Sequence, residues 1–117
     1  MFWKRKTTQD ASPIKELTPA QVQEALAQER IVLVDVREPN EHAAEQIKGS
    51  LLNALSRFDP SSLPTGDKQV VLYCRSGMRS AKALAQCRAA GLPVNAHMAG
   101  GIMAWKRAGL PTVPQQR

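Results

Sequence analysis

The sequence predicts an α/β fold in which helices flank a mainly parallel sheet. Two continuous apolar runs, residues 31–35 and 69–73, are typical of strands that are covered on both faces, as in parallel sheets. Segments with helical spacing of apolar residues alternate with these runs and with weaker strand segments. The 117 residues suffice for one domain, and neither an internal repeat nor a linker divides them.

The first half of the chain has three predicted strands and two predicted helices. Thr18 is suited to cap a helix, Pro19 fits its first position, and Gln21 can complete a capping box. In order, we expect a flexible leader at 1–12, a strand at 13–17, a helix at 18–28, a strand at 31–35, a helix at 39–44 and a weak strand at 50–53.

The second half repeats the alternation and contains the stronger turn signals. Gly91 is placed to end one helix, and Gly100 and Gly101 form a turn before the next. In order, we expect a loop at 59–67, a strand at 69–73, a helix from after residue 80 to about 90, a strand at 93–98, a helix at 102–107 and a C-terminal tail at 111–117. The predicted domain therefore covers residues 13–110.

Charge is distributed unevenly along the chain, which favours an anionic partner. Residues 1–67 carry eight Lys or Arg and ten Asp or Glu, whereas residues 68–117 carry eight Lys or Arg and no acidic residue. A cationic half raises the rate at which anions are encountered. Aromatic residues make up 4% of the chain, too few for the stacking platforms typical of nucleic-acid binding. We therefore expect a small anionic substrate and no nucleic acid.

Composition is typical of a globular domain in a reducing compartment. No apolar run approaches the ~18 residues of a membrane-spanning helix, and no apolar stretch follows the charged start as in a secretory signal. Cys74 and Cys87 are too few for a disulfide framework and lack close metal-ligand spacing with either histidine. We therefore expect a cytoplasmic protein without metal, cofactor or transmembrane segment. Residues 2–6, Phe-Trp-Lys-Arg-Lys, are either a solvated terminus or a contact for an acidic membrane surface or a partner.

The segment 74–80, Cys-Arg-Ser-Gly-Met-Arg-Ser, is the strongest candidate for a functional site. Cys74 directly follows a buried strand and a helix begins shortly after, so backbone N–H groups and the positive helix end converge there. Gly77 permits a backbone conformation that other residues avoid, and Arg75 and Arg79 add permanent charges. A cysteine in this setting has a lowered pKa and is a nucleophile at neutral pH. The alternative is a buried strand-end cysteine before a solvated basic helix start.

Three segments in the same order resemble the rhodanese (sulfurtransferase) family. Residues 35–38 (Asp-Val-Arg-Glu) are similar to its Asp-x-Arg segment, and residues 74–80 are similar to the active loop of its catalytic members. Residues 100–105 (Gly-Gly-Ile-Met-Ala-Trp) are similar to its Gly-Gly…Trp segment near the C-terminus. The resemblance covers roughly residues 13–110 and implies a single three-layer domain, with a five-stranded parallel sheet between helices.

The resemblance also implies the roles of individual residues. Cys74 would accept a sulfane sulfur from thiosulfate or another persulfide donor, become a persulfide, and pass the sulfur to cyanide or to a thiol, including a protein acceptor. Arg75 and Arg79 would bind or steer the anionic donor. Asp35 and Arg37 are supporting residues, either through an ion pair or turn hydrogen bond at the strand end or as direct participants in catalysis. The amides that would cradle the persulfide belong to Arg75, Ser76, Gly77, Met78 and Arg79.

The length of the loop separates this chain from related families. Phosphatases and arsenate reductases with a similar loop place one more residue between cysteine and arginine, to surround a tetrahedral oxyanion. Four residues separate Cys74 from Arg79, so the ring is tighter and better matched to a sulfur. One segment departs from the rhodanese pattern, since residues 45–50 match its Gly-His-Ile-Pro-Gly-Ala only at Ile47 and Gly49. That departure affects the local loop and removes no catalytic atom.

Four residues outside the loop have predicted places. Cys87 is a buried small residue of its helix, with a resolving thiol as the alternative; the rise of the helix argues against a disulfide with Cys74. His42 is a packed or half-exposed histidine. His97 lies near a strand end, where it is either packed or in contact with the pocket. Trp105 is a core residue.

Two biological roles fit these residues. The complete loop, with its cysteine and two arginines, favours a rhodanese-type sulfurtransferase enzyme. The single-domain length also fits a carrier or partner-binding module, which would deliver persulfide sulfur to another protein without turnover of its own. A regulatory domain without sulfur chemistry is disfavoured, because inactive relatives commonly lack the cysteine.

Overall fold

A five-stranded parallel sheet lies between helices in the computed structural model, which describes residues 13–115. The strand order is β1-β5-β4-β2-β3, and every neighbouring pair is parallel. The predicted α/β fold is confirmed. The elements are β1 (Lys15–Leu17), α1 (Pro19–Ala27), β2 (Ile31–Asp35), α2 (Pro39–Ala44), β3 (Leu51–Leu52), two 3₁₀ turns (Leu55–Arg57 and Pro60–Ser62), β4 (Gln69–Tyr73), α3 (Met78–Ala89), β5 (Ala96–Met98) and α4 (Gly101–Arg107).

Each face of the sheet has its own apolar core. Leu33 belongs to the core shared with Val22 of α1 and Trp105 of α4. Its neighbour Val34 belongs to the opposite core, shared with Leu84 of α3. Successive residues of a strand point to opposite faces, so the continuous apolar runs are explained by cover on both sides. Trp105 is a core residue, as predicted.

The first helix begins as its sequence predicts. The amide of Gln21 donates to Thr18 Oγ1 at 3.1 Å, and the amide of Thr18 donates to Gln21 Oε1 at 2.9 Å. This reciprocal pair is a capping box, which satisfies two amides that the helix itself leaves free. Pro19 occupies the first turn, where its missing N–H costs nothing.

Two boundaries in the second half differ from the prediction by more than one residue. Helix α3 begins at Met78, before Ser80, because Gly77 takes a left-handed conformation (φ +112°) and turns the chain directly into the helix. Strand β5 begins at Ala96 rather than at Pro93. Proline has no N–H to donate to a neighbouring strand, so the pairing starts only after it.

The described C-terminal residues pair with the domain. Gln46 and Val113 form an antiparallel bridge, with N···O distances of 2.8 and 2.9 Å. Trp105 Nε1 also donates to Pro111 O at 2.8 Å. The leader at 1–12 lies outside the described residues, and the domain boundaries stay predictions. Across residues 13–115, no helix has the length and hydropathy needed to cross a membrane.

Candidate active site

Cys74 lies at the carboxyl end of β4 and is 1% exposed. The amide of Gly77 donates to its Sγ at 3.1 Å, and the amide of Ser80 donates at 3.3 Å. Both donors come from the turn into α3, since Gly77 reverses the chain and the first turn of the helix has free amides. The structure therefore brings together the cysteine, the glycine and the helix start that the sequence motif contains.

The pKa of the Cys74 thiol lies below its ordinary value. Burial raises this pKa, but hydrogen bonds from the Ser80 side chain and from the amides of Ser80, Gly77 and Ser76 more than offset that effect. Such donors stabilise the thiolate and favour proton loss. The arrangement thus provides a nucleophile in a pocket that also stabilises negative charge.

Ser80 and His97 are site residues to which the sequence analysis gave no role in the chemistry. Ser80 is fully buried, and its Oγ lies 3.6 Å from Cys74 Sγ and 2.7 Å from His97 Nδ1. His97 therefore reaches the site through the serine, which agrees with its predicted place near a strand end. Ser80 closes the loop motif, and a histidine between the apolar Ala96 and Met98 was the other available signal.

Helix α4 packs its first turn directly against the loop. The amide of Ile102 donates to Cys74 O at 2.9 Å, and that of Met103 donates to Arg75 O at 3.1 Å. A Cβ on Gly101 would come within 2.4 Å of the backbone of Cys74 and Arg75. Only glycine permits this approach, and its φ of +61° also lies in the left-handed region. The second glycine of the Gly-Gly segment thus holds the loop in place.

Arg79 is bound to an acidic partner. Its two terminal nitrogens donate to Glu41 Oε1 and Oε2 at 2.7 and 3.0 Å, a bidentate pair that joins α3 to α2. The bond from Arg79 is the main reason why the pKa of Glu41 falls from its ordinary 4.5 to about 2. The same bond raises the pKa of Arg79. Much of the charge predicted to meet a donor is therefore already neutralised.

Arg75 is exposed beside a cavity of about 530 Å³ next to the loop. Met103, Lys106 and Arg107 of α4 also line this cavity. Lys106 is paired with Glu45 at 3.0 Å. On the loop itself Ser76 is exposed, and the Met78 side chain is 72% exposed. Cationic side chains outnumber acidic ones in the lining of this cavity, which has Arg37, Arg75, Lys106 and Arg107 against Glu41 and Glu45.

Asp35 and Arg37 form a buried ion pair at the end of β2. Arg37 Nε lies 3.0 Å from Asp35 Oδ1, and Nη2 lies 2.7 Å from Oδ2. His42 Nδ1 lies 2.9 Å from the same Oδ2, so the histidine is packed and buried. Asp35 and Tyr73 are partners in the register of β2 and β4, which places the ion pair beside the strand that directly precedes Cys74. The ion pair is the first of the two alternatives considered for these residues.

Cys87 lies in the core beneath α3 and faces no such donors. Burial raises the pKa of its thiol to about 11. Both described cysteines are free. Within residues 13–115, no three side chains of His, Cys, Asp or Glu are grouped so that they could hold a metal ion.

The fold and the site define an α/β protein in which a cysteine thiol at the end of a parallel strand accepts hydrogen bonds from backbone amides. The chain belongs to the rhodanese-like domain family, whose model matches residues 18–108. Its structure is similar to the crystal structure of a rhodanese-related protein from Thermoplasma volcanium, with a TM-score of 0.76 and 29% sequence identity. The match covers 86% of this chain and 99% of that protein chain.

Two relatives show the range of proteins in which this domain occurs. The chain is 47% identical over 98 residues to the uncharacterized protein slr1261 of Synechocystis. The aligned region covers 83% of this chain and 55% of slr1261. It is 37% identical over 103 residues to a protein named sulfurtransferase from Allochromatium vinosum, covering 86% of this chain and 95% of that protein. The chain thus spans about half of one relative and nearly all of the other.

Proposed function

We propose that this protein is a rhodanese-type sulfurtransferase that carries a sulfane sulfur on Cys74. The observation that carries the proposal is the Cys74 Sγ, which receives amide hydrogen bonds from Gly77 and Ser80 at 3.1 and 3.3 Å. The sulfurtransferase name of the Allochromatium relative supports the same class of reaction. The donor is thiosulfate or a persulfide, and the acceptor is cyanide or a thiol. Two free cysteines suit a reducing compartment such as the cytoplasm.

The reaction proceeds in two displacements at sulfur. The Cys74 thiolate attacks the outer sulfur of thiosulfate, a new S–S bond forms, and the bond to the sulfonate sulfur breaks so that sulfite leaves with the electron pair. The enzyme then holds a persulfide anion, whose charge the amides of residues 75–79 would stabilise. The 3.1 Å hydrogen bond from the Gly77 amide to Cys74 Sγ supports this role. Cyanide or a thiolate attacks the outer sulfur, and Cys74 leaves as a thiolate again.

The two loop arginines have different roles in this proposal. Arg75 is exposed beside the cationic cavity and attracts the anionic donor. Arg79 is bound to Glu41 of α2, so it connects the loop to that helix. Its positive field at the sulfur is weaker than that of an arginine without an acidic partner. Asp35 and Arg37 support the end of β2 through their ion pair.

The experiment is intact-protein mass spectrometry after brief exposure to thiosulfate. We expect a gain of one sulfur atom that cyanide or a thiol reverses. Cys74→Ser must abolish the gain, and Cys87→Ser is the matched control that must retain it. No gain in a folded protein whose Cys74 still reacts with iodoacetamide would contradict thiosulfate as donor.

A carrier that takes its sulfur from another protein is the second candidate. The observation that favours it is the 72% exposed Met78 at the rim of the loop, an apolar group suited to contact a protein surface. A carrier gains sulfur slowly from thiosulfate and rapidly from a persulfidated protein donor. An enzyme of small molecules shows the opposite order, so the two rates of mass gain separate the candidates.

A further inference from the structure

A line of polar side chains runs from the protein surface to Cys74 through the core beside α3. Cys74 Sγ lies 3.6 Å from Ser80 Oγ, which lies 2.7 Å from His97 Nδ1. On the other side of the ring, His97 Nε2 lies 3.2 Å from Glu16 Oε2. The histidine side chain is 4% exposed, whereas that of Glu16 is 65% exposed. The sulfur is therefore linked to solvent by three consecutive polar contacts.

The register of the sheet places these groups in one row. Glu16 of β1 is the partner of His97 of β5, and His97 is the partner of Leu72 of β4. Partners in neighbouring strands point to the same face of a sheet. Cys74 follows Leu72 by two positions and shares the same core cluster. The strand pairing thus determines the positions of Glu16, His97 and Cys74. Helix α3, which packs on this face of the sheet, contributes Ser80.

The chemistry of each group fixes the direction of the hydrogen bonds. A carboxylate only accepts hydrogen bonds, so His97 Nε2 donates to Glu16. In a neutral imidazole Nδ1 is then an acceptor, so it receives the hydroxyl hydrogen of Ser80. While Cys74 is a thiol, Ser80 Oγ accepts from it; once the thiol has lost its proton, the serine hydroxyl donates to the thiolate instead. The carbonyl of Gly77 is a second acceptor for Ser80, at the longer distance of 3.2 Å.

We propose that Ser80, His97 and Glu16 are a proton relay that takes the thiol proton of Cys74 and stores it at His97. The thiol proton moves to Ser80 Oγ while the serine proton moves to His97 Nδ1. One thiol and one neutral imidazole become one thiolate and one imidazolium, so atoms and charge balance. Ser80 contacts the reacting sulfur; His97 and Glu16 act through it as positioning residues. The relay rests on the proposed function, because it prepares the thiolate that attacks the donor.

The charges around His97 are arranged to stabilise a proton held on its imidazole. From β1, Glu16 faces the imidazole, whereas Lys15 is the partner of Ala96 and lies on the other face. From α3, Arg79 acts on Cys74 while it is bound to Glu41 of α2. From the same helix, Cys87 shares the core and its pKa of about 11 keeps it uncharged. Glu16 is thus the anion placed to stabilise an imidazolium at His97.

The test measures the iodoacetamide reaction of Cys74 in the full chain against pH, read at the Cys74 peptide by mass spectrometry. Glu16→Gln removes the carboxylate from an exposed position, so the fold is retained. If the proton rests on His97, the rate below neutral pH falls about threefold. Glu24→Gln is the matched control, because it removes the same charge from the exposed surface of α1.

The sign of the change separates the relay from a plain charge effect. Without a relay, the loss of any negative charge favours the thiolate, so Glu16→Gln would match Glu24→Gln with an unchanged or faster reaction. That result overturns the proposal. His97→Asn keeps a polar group near Ser80 but cannot carry the proton, and we expect the rate at pH 6 to fall about tenfold.

A second readout uses the shape of the wild-type pH profile. Proton transfer within the relay leaves the total proton count unchanged, so part of the thiolate persists as the pH falls. The rate should then decline by less than tenfold per pH unit below neutrality, and His97→Asn should restore the full tenfold slope. A full slope in the wild type contradicts the relay. Because alkylation needs no sulfur donor, failure of sulfur uptake would count against the proposed function alone.

Discussion

Cys74 and Cys87 are two buried thiols of one core with opposite acid–base behaviour. They are 1% and 0% exposed, and both lie in the cluster beneath α3. Burial alone acts on Cys87 and raises its pKa to about 11. At Cys74 burial also raises the pKa, but hydrogen bonds from Ser80 and the loop amides outweigh it. The supply of hydrogen-bond donors, rather than depth in the core, therefore determines in which direction the pKa of each thiol is shifted.

The largest expected effect is the difference in reactivity between the two thiols. At pH 7 a thiol with a pKa of about 11 is a thiolate in about one molecule in 10⁴. The lowered pKa of Cys74 means that its thiolate persists to lower pH than that of an ordinary cysteine. We expect iodoacetamide to modify Cys74 at least ~10²-fold faster than Cys87 at pH 7 in the native protein.

Peptide mass spectrometry after timed quenching gives both rates from one sample. The internal control is the protein in denaturant, where the two cysteines should react at similar rates. Similar rates in the native protein would show that the loop amides do not distinguish the thiols, and the comparison would lose its physical basis.

The next effect tests whether the loop needs α4 to hold it. Gly101→Ala places a Cβ within 2.4 Å of the backbone of Cys74 and Arg75, in addition to strain at φ +61°. We expect a loss of about 3 kcal/mol in the free energy of unfolding, and a slower alkylation of Cys74, because the loop must move. Urea unfolding and native alkylation measure the two effects.

Gly109→Ala is the matched control for this substitution. Gly109 has a similar left-handed backbone (φ +79°), but a Cβ there meets nothing within 4 Å. It should lose only the ~1 kcal/mol of backbone strain and leave Cys74 unchanged. Equal losses in the two variants would mean that the contact of α4 with the loop is unimportant.

The contrast between the cysteines was partly visible in the sequence. Cys74 follows a buried apolar run and precedes glycine, serines and arginines, whereas Cys87 sits in the apolar pattern of a helix. These local signals predicted the fold, the strand ends and the amide loop. They depend on neighbours in the chain, which a sequence displays directly.

The remaining features depend on contacts between distant segments. Glu41 binds Arg79 from 38 residues away, and His97 meets Glu16 from 81 residues away. Strand register and helix packing determine such pairs, and one sequence does not encode them as a local pattern. The same holds for β5, which begins at Ala96 and not at Pro93 as the apolar residues had predicted.

A smaller effect concerns the Arg79–Glu41 salt bridge, which lies at the Cys74 loop and has no counterpart at Cys87 among the described residues. Hydrogen bonding to Arg79 lowers the pKa of Glu41 in the folded protein from 4.5 to about 2. A lowered folded-state pKa stabilises the protein above the unfolded value and loses this contribution as the pH falls from about 4.5 to about 2. Because both side chains are partly exposed, we expect about 1 kcal/mol at pH 7.

Urea unfolding of the wild type and of Glu41→Gln at several pH values measures this contribution. The two proteins should differ by about 1 kcal/mol at pH 7 and converge near pH 2. Glu24→Gln, which removes an exposed carboxylate without an arginine partner of its own in the structure's described part, should show no such convergence. A constant difference at every pH would assign the effect to packing.

The smallest expected effect concerns how the charge of the alkylating reagent changes its rate of reaction with Cys74. Arg75 and Arg107 border the cavity beside Cys74 and should attract an anion before it reaches the sulfur. Raising salt from about 0.01 M to about 1 M shortens the screening length from about 30 Å to about 3 Å. We therefore expect the rate with iodoacetate, relative to neutral iodoacetamide, to fall about threefold at Cys74.

The neutral reagent is the control, because its rate reports the thiolate fraction at each salt concentration. The ratio of the two rates therefore measures only the electrostatic attraction of the anionic reagent. A ratio that does not change would mean that the cationic half of the chain does not steer anions to this thiol, and that the amide donors alone account for its reactivity.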